Sequence, residues 1–216
     1  MLPIKLHMID GSPPVRAVLV IANALNIPLE KNYVDVINGE QFKPEYLKIN
    51  PLHTVPCLDD NGNIICDSHA IVTYLANKYA KDDSLYPTDA YKRALVDQKL
   101  AFDLGTLVPL VKLINVSYKM KEITALTSKM IEKINEVYTL CDTMLNGKKW
   151  LALDHLTLAD VSCYTTTTGL NYHLPINAVT YPNFKAWFDR CRNHPLLASD
   201  IYQLNKYIEY IKSFST

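Results

Sequence analysis

No charge of either sign dominates this chain: 22 lysines and arginines stand against 22 aspartates and glutamates over 216 residues. A balanced surface leaves no electrostatic footprint for nucleic acid or for an acidic membrane. Cysteine is sparse. The five, Cys57, Cys66, Cys141, Cys163 and Cys191, are odd in number and show no C-x-x-C spacing. That argues against a disulfide scaffold or a zinc site and for a reducing compartment, so a cytoplasmic protein is expected. The first residues show no basic start followed by an apolar core, so no signal peptide is expected. No apolar run approaches a membrane span. G-x-S-x-G is also missing, which leaves a hydrolase nucleophile without support. Internal repeats and low-complexity segments are lacking too. The length suits one large domain or two small ones with a real core.

What is present changes character along the chain. The first eighty residues alternate in type. Residues 4–9, I-K-L-H-M-I, read as a strand, and residues 14–26 as a helix with Val18, Ile21, Ala22 and Leu25 on one face. Residues 31–37 and 54–58 read as strands, and 63–67 as the return of a hairpin through D-D-N-G-N. K-P-E-Y-L-K suits a short helical turn, and S-H-A-I-V-T-Y-L-A-N-K-Y a helix started by Ser68. The order is that of a small α/β sheet layered with helices. From about Ala90 onward helical periodicity replaces strand alternation: Leu95, Leu100, Leu104, Leu107 and Leu110 recur near helical spacing. Residues 123–145 form another amphipathic run that stops at Asn146-Gly147. The expected division is a first domain over 1–82, a linker over 83–89 and an all-helical domain over 90–216.

Four pieces could carry chemistry. Ser12, followed by Pro13 and Pro14, opens the first helix. It admits a capping role and a second role, donation of its hydroxyl to an anion held at the helix N-terminus. N-P-L-H-T-V-P-C-L puts Pro56 inside an expected strand, where it lacks an N–H. A cis Val55–Pro56 bond is one solution, and it turns the backbone of Val55 outward to pair with an extended peptide; an ordinary edge-strand proline is the other. His53 suits either a surface position or a carboxylate contact. Asp67 and Ser68 precede a helix, as caps or as a receptor for an amino-acid head group, with Asp67 on the ammonium and Ser68 on the carboxylate. Thr157 and Asp160 stand at capping-box spacing and are read as structural.

Together these pieces resemble the glutathione transferases. A serine opening the first helix, N-P-L-H-T-V-P and D-S-H-A-I occur in the family's order. S-P-P-V-R, G-E-Q-F-K-P-E-Y-L-K-I-N-P and L-T-L-A-D look like the insect delta and epsilon classes, and D-S-H-A-I leans toward epsilon. The similarity runs through Y-P-N-F-K-A-W-F-D-R.

The resemblance implies a thioredoxin-like N-terminal domain, an all-helical C-terminal domain and a homodimer. It implies conjugation of reduced glutathione, a co-substrate and not a prosthetic group, to hydrophobic electrophiles, with a detoxification role. Peroxide reduction or dehydrochlorination through the same thiolate is compatible with it. Residue by residue it implies that Ser12 is catalytic, stabilising the thiolate. Gln41 and His53 serve the glycine end, and Thr54, Val55 and Pro56 the cysteinyl backbone. Asp67, Ser68 and His69 serve the γ-glutamyl group, and Asp103 reaches the neighbouring subunit's glutathione. Leu107, Val108, Val111, Lys112 and Tyr118 are expected at the electrophile pocket. Gln41 stands where the family often has histidine, and Leu52 where it usually has glutamine. H-P-L-L-A-S-D lacks the family's Pro-Gly turn, so the last helix is expected to approach the cavity differently. Two rivals stand beside this reading: a carrier of apolar ligands on the same fold, and a cysteine-dependent redox enzyme. The serine in the activating position speaks against the second.

Overall fold

The computed structural model describes residues 3–214. Four strands form one sheet in the order β2-β1-β3-β4, with β1 at Ile4–Met8, β2 at Leu29–Tyr33, β3 at Cys57–Asp60 and β4 at Asn63–Cys66. β1 and β2 are parallel, and the other two pairings are antiparallel. The helix α1, Pro13–Ala24, makes the crossover, and α3, Ser68–Tyr79, follows β4. Both pack on the sheet through Val15, Val18, Ile21, Ile71, Val72 and Leu75, all buried. The one-turn helix α2, Pro44–Leu47, lies between β2 and β3. This is a thioredoxin-like arrangement.

Several boundaries differ from the sequence reading. β2 starts and stops earlier than 31–37, because its partner β1 ends at Met8 and the register pairs Met8 with Tyr33. β3 starts at Cys57, not at 54, because the residue before it is a proline with no N–H to give the ladder. The Val55–Pro56 bond is cis. The hairpin turns on Asn61 and Gly62, both at positive φ, the geometry of a two-residue primed turn. α3 is capped by Asp67, whose Oδ1 accepts from the backbone N–H groups of His69 and Ala70. Ser68 is therefore the first helical residue, not the cap.

The rest of the chain is helical: α4 Ala90–Phe102, α5 Val108–Lys119, α6 Ser128–Met144, α7 Leu158–His173, α8 Pro182–Arg192 and α9 Ile201–Lys212. α6 begins later than 123 because Thr127 caps it, accepting from the N–H of Met130. A π-helical turn over Asp103–Leu107 joins α4 to α5. Leu100, Leu107 and Leu110 face the core, whereas Leu104 in that turn is exposed. The continuous helix Ala90–Lys119 is long and apolar enough to cross a membrane by length and composition. That corrects the expectation of no such run; the helix packs on its neighbours through Leu100, Leu107, Leu110, Val111 and Ile114, leaves Leu104, Leu113 and Val116 exposed, and is interrupted by the buried carboxylate of Asp103. α7 runs through the centre, buried from Leu158 to Leu170. Its capping box is formed as expected: Asp160 Oδ2 accepts from the N–H of Thr157 at 2.9 Å, and Oδ1 accepts from Leu151 N–H and Trp187 Nε1.

α1 is tied to the helical layer by a buried ion pair. Arg16 Nε donates to Asp200 Oδ1 at 2.8 Å, and its two terminal nitrogens reach Asp200 Oδ2 and Thr168 Oγ1. Arg16 is 0% exposed and Asp200 3%. Removing one member of such a pair strands the other charge without water. Asp200→Ala is therefore expected to destabilise the protein by about 3–5 kcal/mol, read from urea denaturation. A change under about 0.5 kcal/mol, ordinary for a surface site, would show that the pair does not hold α1 in place.

Candidate active site at the end of the sheet

The register brings the sequence pieces together. His7 pairs with Cys57, Cys57 with Cys66 and Met8 with Tyr33. So the segment leading from β1 to Ser12, the loop after β2, the loop before Cys57 and the segment from Cys66 to Asp67 all lie at one end of the sheet. Two helix N-termini, those of α1 and α3, open there.

Ser12 occupies the N-cap position of α1, half-buried, with its C=O accepting from Arg16 N–H at 2.9 Å. Its side chain makes no capping bond. The capping role is thus unfilled, and the hydroxyl is available. Pro13 and Pro14 carry no N–H, so within the first turn only Val15 has an amide without an intrahelical partner. The segment before Ser12 is held from α9: Gly11 N–H donates to Gln203 Oε1 at 2.7 Å, and Gln203 Nε2 donates to Asp10 Oδ1 at 2.6 Å. Gly11 has φ +80°, and a Cβ there would stand 2.6 Å from the backbone nitrogen of Tyr207. Glycine is what lets α9 come this close.

In the loop before β3, Tyr46 Oη and Asn50 Nδ2 both donate to the C=O of Thr54, at 2.6 and 2.9 Å. This fixes the loop while Val55, outside the ladder, enters none of the loop's backbone hydrogen bonds. Pro56 is buried. His53 is exposed, its ring 4.9 Å from that of Phe42. Gln41 Nε2 donates to the C=O of Val36 at 3.4 Å, and its Oε1 is buried with no partner.

At the start of α3, Ser68 is buried and its hydroxyl enters no hydrogen bond among the described residues. His69 is 8% exposed; its Nε2 meets Asp103 Oδ2 at 2.8 Å and its Nδ1 is buried 3.5 Å from Asp67 Oδ1. Asp103 is 2% exposed; its Oδ2 meets His69 of its own chain and its Oδ1 is buried without a partner among the described residues. His69 thereby stands between Asp67 and Asp103. The π turn over Asp103–Leu107 is what presents Asp103 to α3. Burial works against the charged imidazole, but the hydrogen bonds and charges of Asp103 and Asp67 outweigh it and raise the His69 pKa to about 9. Burial likewise opposes the Asp67 carboxylate, yet its bonds to His69 and Ala70 hold its pKa below the usual range.

Beside Ser12, Pro13 and Pro14 form one wall of an apolar cleft, and Val108, Val111, Lys112, Asn115, Val116 and Thr166 complete it. Val108, Val111 and Lys112 were expected there. Leu107 is not: it is 1% exposed in the core. Tyr118 does not line it either; its ring stacks on His173 at 5.1 Å. Helical spacing could not separate cleft from core, and Asn115 and Thr166 gave no signal of their own. Among the described residues, no group of three or more His, Cys, Asp or Glu side chains is placed to hold a metal ion.

An open hydroxyl, an unpaired stretch of loop backbone before a proline and an acid at a helix start, grouped on a thioredoxin-like domain beside an apolar cleft, define a thiol-peptide-binding enzyme class. The models for the glutathione S-transferase N-terminal and C-terminal domains match residues 6–83 and 108–195. Glutathione S-transferase 1 of Manduca sexta is 41% identical over 189 residues, 86% of each chain. An epsilon-class glutathione S-transferase from the housefly Musca domestica superposes with a TM-score of 0.92 at 38% identity, covering 98% of both chains. A glutathione transferase homologue from Drosophila mojavensis, with bound glutathione, gives 0.89 at 38% identity over 99% and 98% of the two chains. The chain belongs to the glutathione S-transferase family, of insect epsilon/delta type.

The His69 ion pair makes a pH prediction. A folded pKa of about 9 against an ordinary 6.5 means that the folded state holds this proton more tightly. The stabilisation is complete below pH 6.5 and lost as pH rises through about 9. Urea denaturation should therefore show stability falling across that window, and Asp103→Asn should flatten the fall. Equal slopes in the two proteins would rule out a charged His69–Asp103 pair.

Proposed function

We propose that this transferase conjugates the thiolate of reduced glutathione to hydrophobic electrophiles, with Ser12 stabilising the thiolate. The observation that carries this reading is the Ser12 hydroxyl, at the start of α1 and free of any capping bond. A free thiol has a pKa of about 8.5, so it is mostly protonated at neutral pH. Lowering it by two units takes about 2.7 kcal/mol of preference for the charged form. A helix N-terminus supplies about 0.3–1 kcal/mol, and here two prolines remove amides that could have turned to the sulfur. A hydrogen bond to a charged group adds about 1.5–3 kcal/mol. The hydroxyl is the larger contributor. The thiol proton leaves to solvent, the sulfur bonds to the electrophilic carbon, which expels its leaving group (halide from an aryl halide), and Ser12 donates a hydrogen bond to the thiolate without becoming covalently attached.

In the same reading glutathione lies extended along the end of the sheet. The backbone of Val55, between Thr54 and Pro56, pairs with the cysteinyl unit. Asp67 takes the γ-glutamyl ammonium, and Ser68 with the first amides of α3 takes the carboxylate. His53 and Gln41 stand at the glycine end. The electrophile occupies the cleft of Val108, Val111 and Lys112 beside Ser12. The boundaries 1–82, 83–89 and 90–216, a homodimeric assembly, a cytoplasmic location and a role in detoxification complete the proposal.

Ser12→Ala should keep glutathione binding and lower conjugation of a generic aryl halide near neutral pH by roughly 10- to 150-fold, the equivalent of one charged hydrogen bond. Its pH–rate profile should move upward by about one to two units. Unchanged turnover would remove Ser12 from the mechanism. Glutathione binding without turnover in either protein would favour a carrier of apolar ligands.

A further inference from the structure

In sequence, Cys57 and Cys66 are two thiols with no motif between them. The β3–β4 hairpin makes them direct cross-strand partners, and their Sγ atoms lie 3.0 Å apart. The other three cysteines sit singly on α6, α7 and α8. The ladder position favours a bond. Asp60 and Asn63 close the two-residue turn as a hydrogen-bonded pair, and bonded and non-bonded pairs alternate along an antiparallel ladder. Counting back, Cys57–Cys66 falls on a non-bonded pair, with Cα atoms about 4.5 Å apart. That lies inside the range of roughly 4.4–6.8 Å that disulfides span.

The two thiols differ. Cys57 is fully buried, and burial together with the adjoining Cys66 sulfur pushes its pKa far up, so it stays protonated. Cys66 is half-buried and can meet a solute. We propose that Cys57 and Cys66 form a reversible two-electron redox site that closes to an intramolecular disulfide on reaction with a hydroperoxide. The Cys66 thiolate attacks the peroxide O–O bond, takes one oxygen as sulfenic acid, and the other leaves, protonated, as an alcohol or water. The Cys57 sulfur then displaces that oxygen, and its proton departs with the hydroxide as water. Two thiols are oxidised and one peroxide reduced. Two equivalents of an external thiol reopen the bond and leave as their own disulfide. In a reducing compartment such a bond is transient and sensing, not structural. Its position is pointed: Cys57 follows Pro56 and Cys66 precedes Asp67, so it joins the two strand ends that carry both sides of the candidate site. The chemistry stands whether or not that site takes glutathione.

The test treats the full chain with hydrogen peroxide and counts thiols with a maleimide after denaturation. The expected result is loss of two of the five thiols, a mass decrease of about 2 Da for the disulfide, a linked peptide carrying Cys57 and Cys66, and full recovery with dithiothreitol. Cys66→Ser, which removes the attacking thiol, should keep all four remaining thiols under the same treatment, whereas Cys57→Ser should lose one, Cys66, as an unresolved sulfenic acid with no linked peptide. Mapping in the unaltered protein decides the matter even if the buried Cys57 variant does not fold. Five thiols after treatment, a sulfinic acid on Cys66 without the linkage, or a link between other cysteines would each overturn the proposal.

Discussion

The buried pair of Arg16 and Asp200 is the constraint on which the site's geometry rests. Arg16 lies one turn beyond Ser12 on α1, and its guanidinium reaches Asp200 just before α9 and Thr168 on α7. A guanidinium excluded from water is stable only where carboxylate and hydroxyl oxygens meet its fork. That requirement fixes the rotation and height of α1 against the helical layer. Gln203 then reaches back from α9 to Asp10 and Gly11. Between these two attachments, one on either side of the helix start, Ser12 has little freedom to move. A hydroxyl that is to donate to a sulfur must be placed by its neighbours, because it has no anchor of its own.

A second attachment joins the domains at α3. Asp103 takes the Nε2 of His69, and His69 stands against Asp67. The π turn over Asp103–Leu107 widens the helix where this acid turns toward α3. The charge of the helical domain is thereby transmitted to the residue proposed to hold the ammonium of the ligand. Both halves of the thiol-peptide seat are thus supported from the C-terminal helices, although every residue proposed to touch that peptide comes from the first seventy.

Much of this was legible in the residues. The alternating first eighty residues, the helical remainder, the turn at Asn61-Gly62 and the capping box of Thr157 and Asp160 all follow from local rules, since each depends on groups within a few positions of one another. The serine at the helix start, the proline after Val55 and the Asp67-Ser68 pair marked the site for the same reason. What local rules missed was the partner. Ser68 was expected to cap a helix that Asp67 caps, because both types are good caps and only backbone geometry chooses between them. The contact between Asp103 and His69, thirty-four residues apart, gave no local signal. Tyr118 and Leu107 shared the periodicity of Val108 and Val111, and periodicity does not say which neighbour a face will meet.

The sequence by itself determined the element types, the order of the two domains and the chemical alphabet of the site: a hydroxyl, an exposed backbone beside a proline and an acid at a helix start. Only the tertiary structure decided which of those groups stay free. Ser12 keeps its hydroxyl because two prolines and the clasp from α9 set the helix start without it. His69 gives its Nε2 to Asp103 because the π turn in a distant helix delivers that acid. Cys57 and Cys66 become neighbours because the hairpin register aligns them. Each outcome turns on contacts distant in sequence, and their energies depend on burial that exists only once the chain has folded.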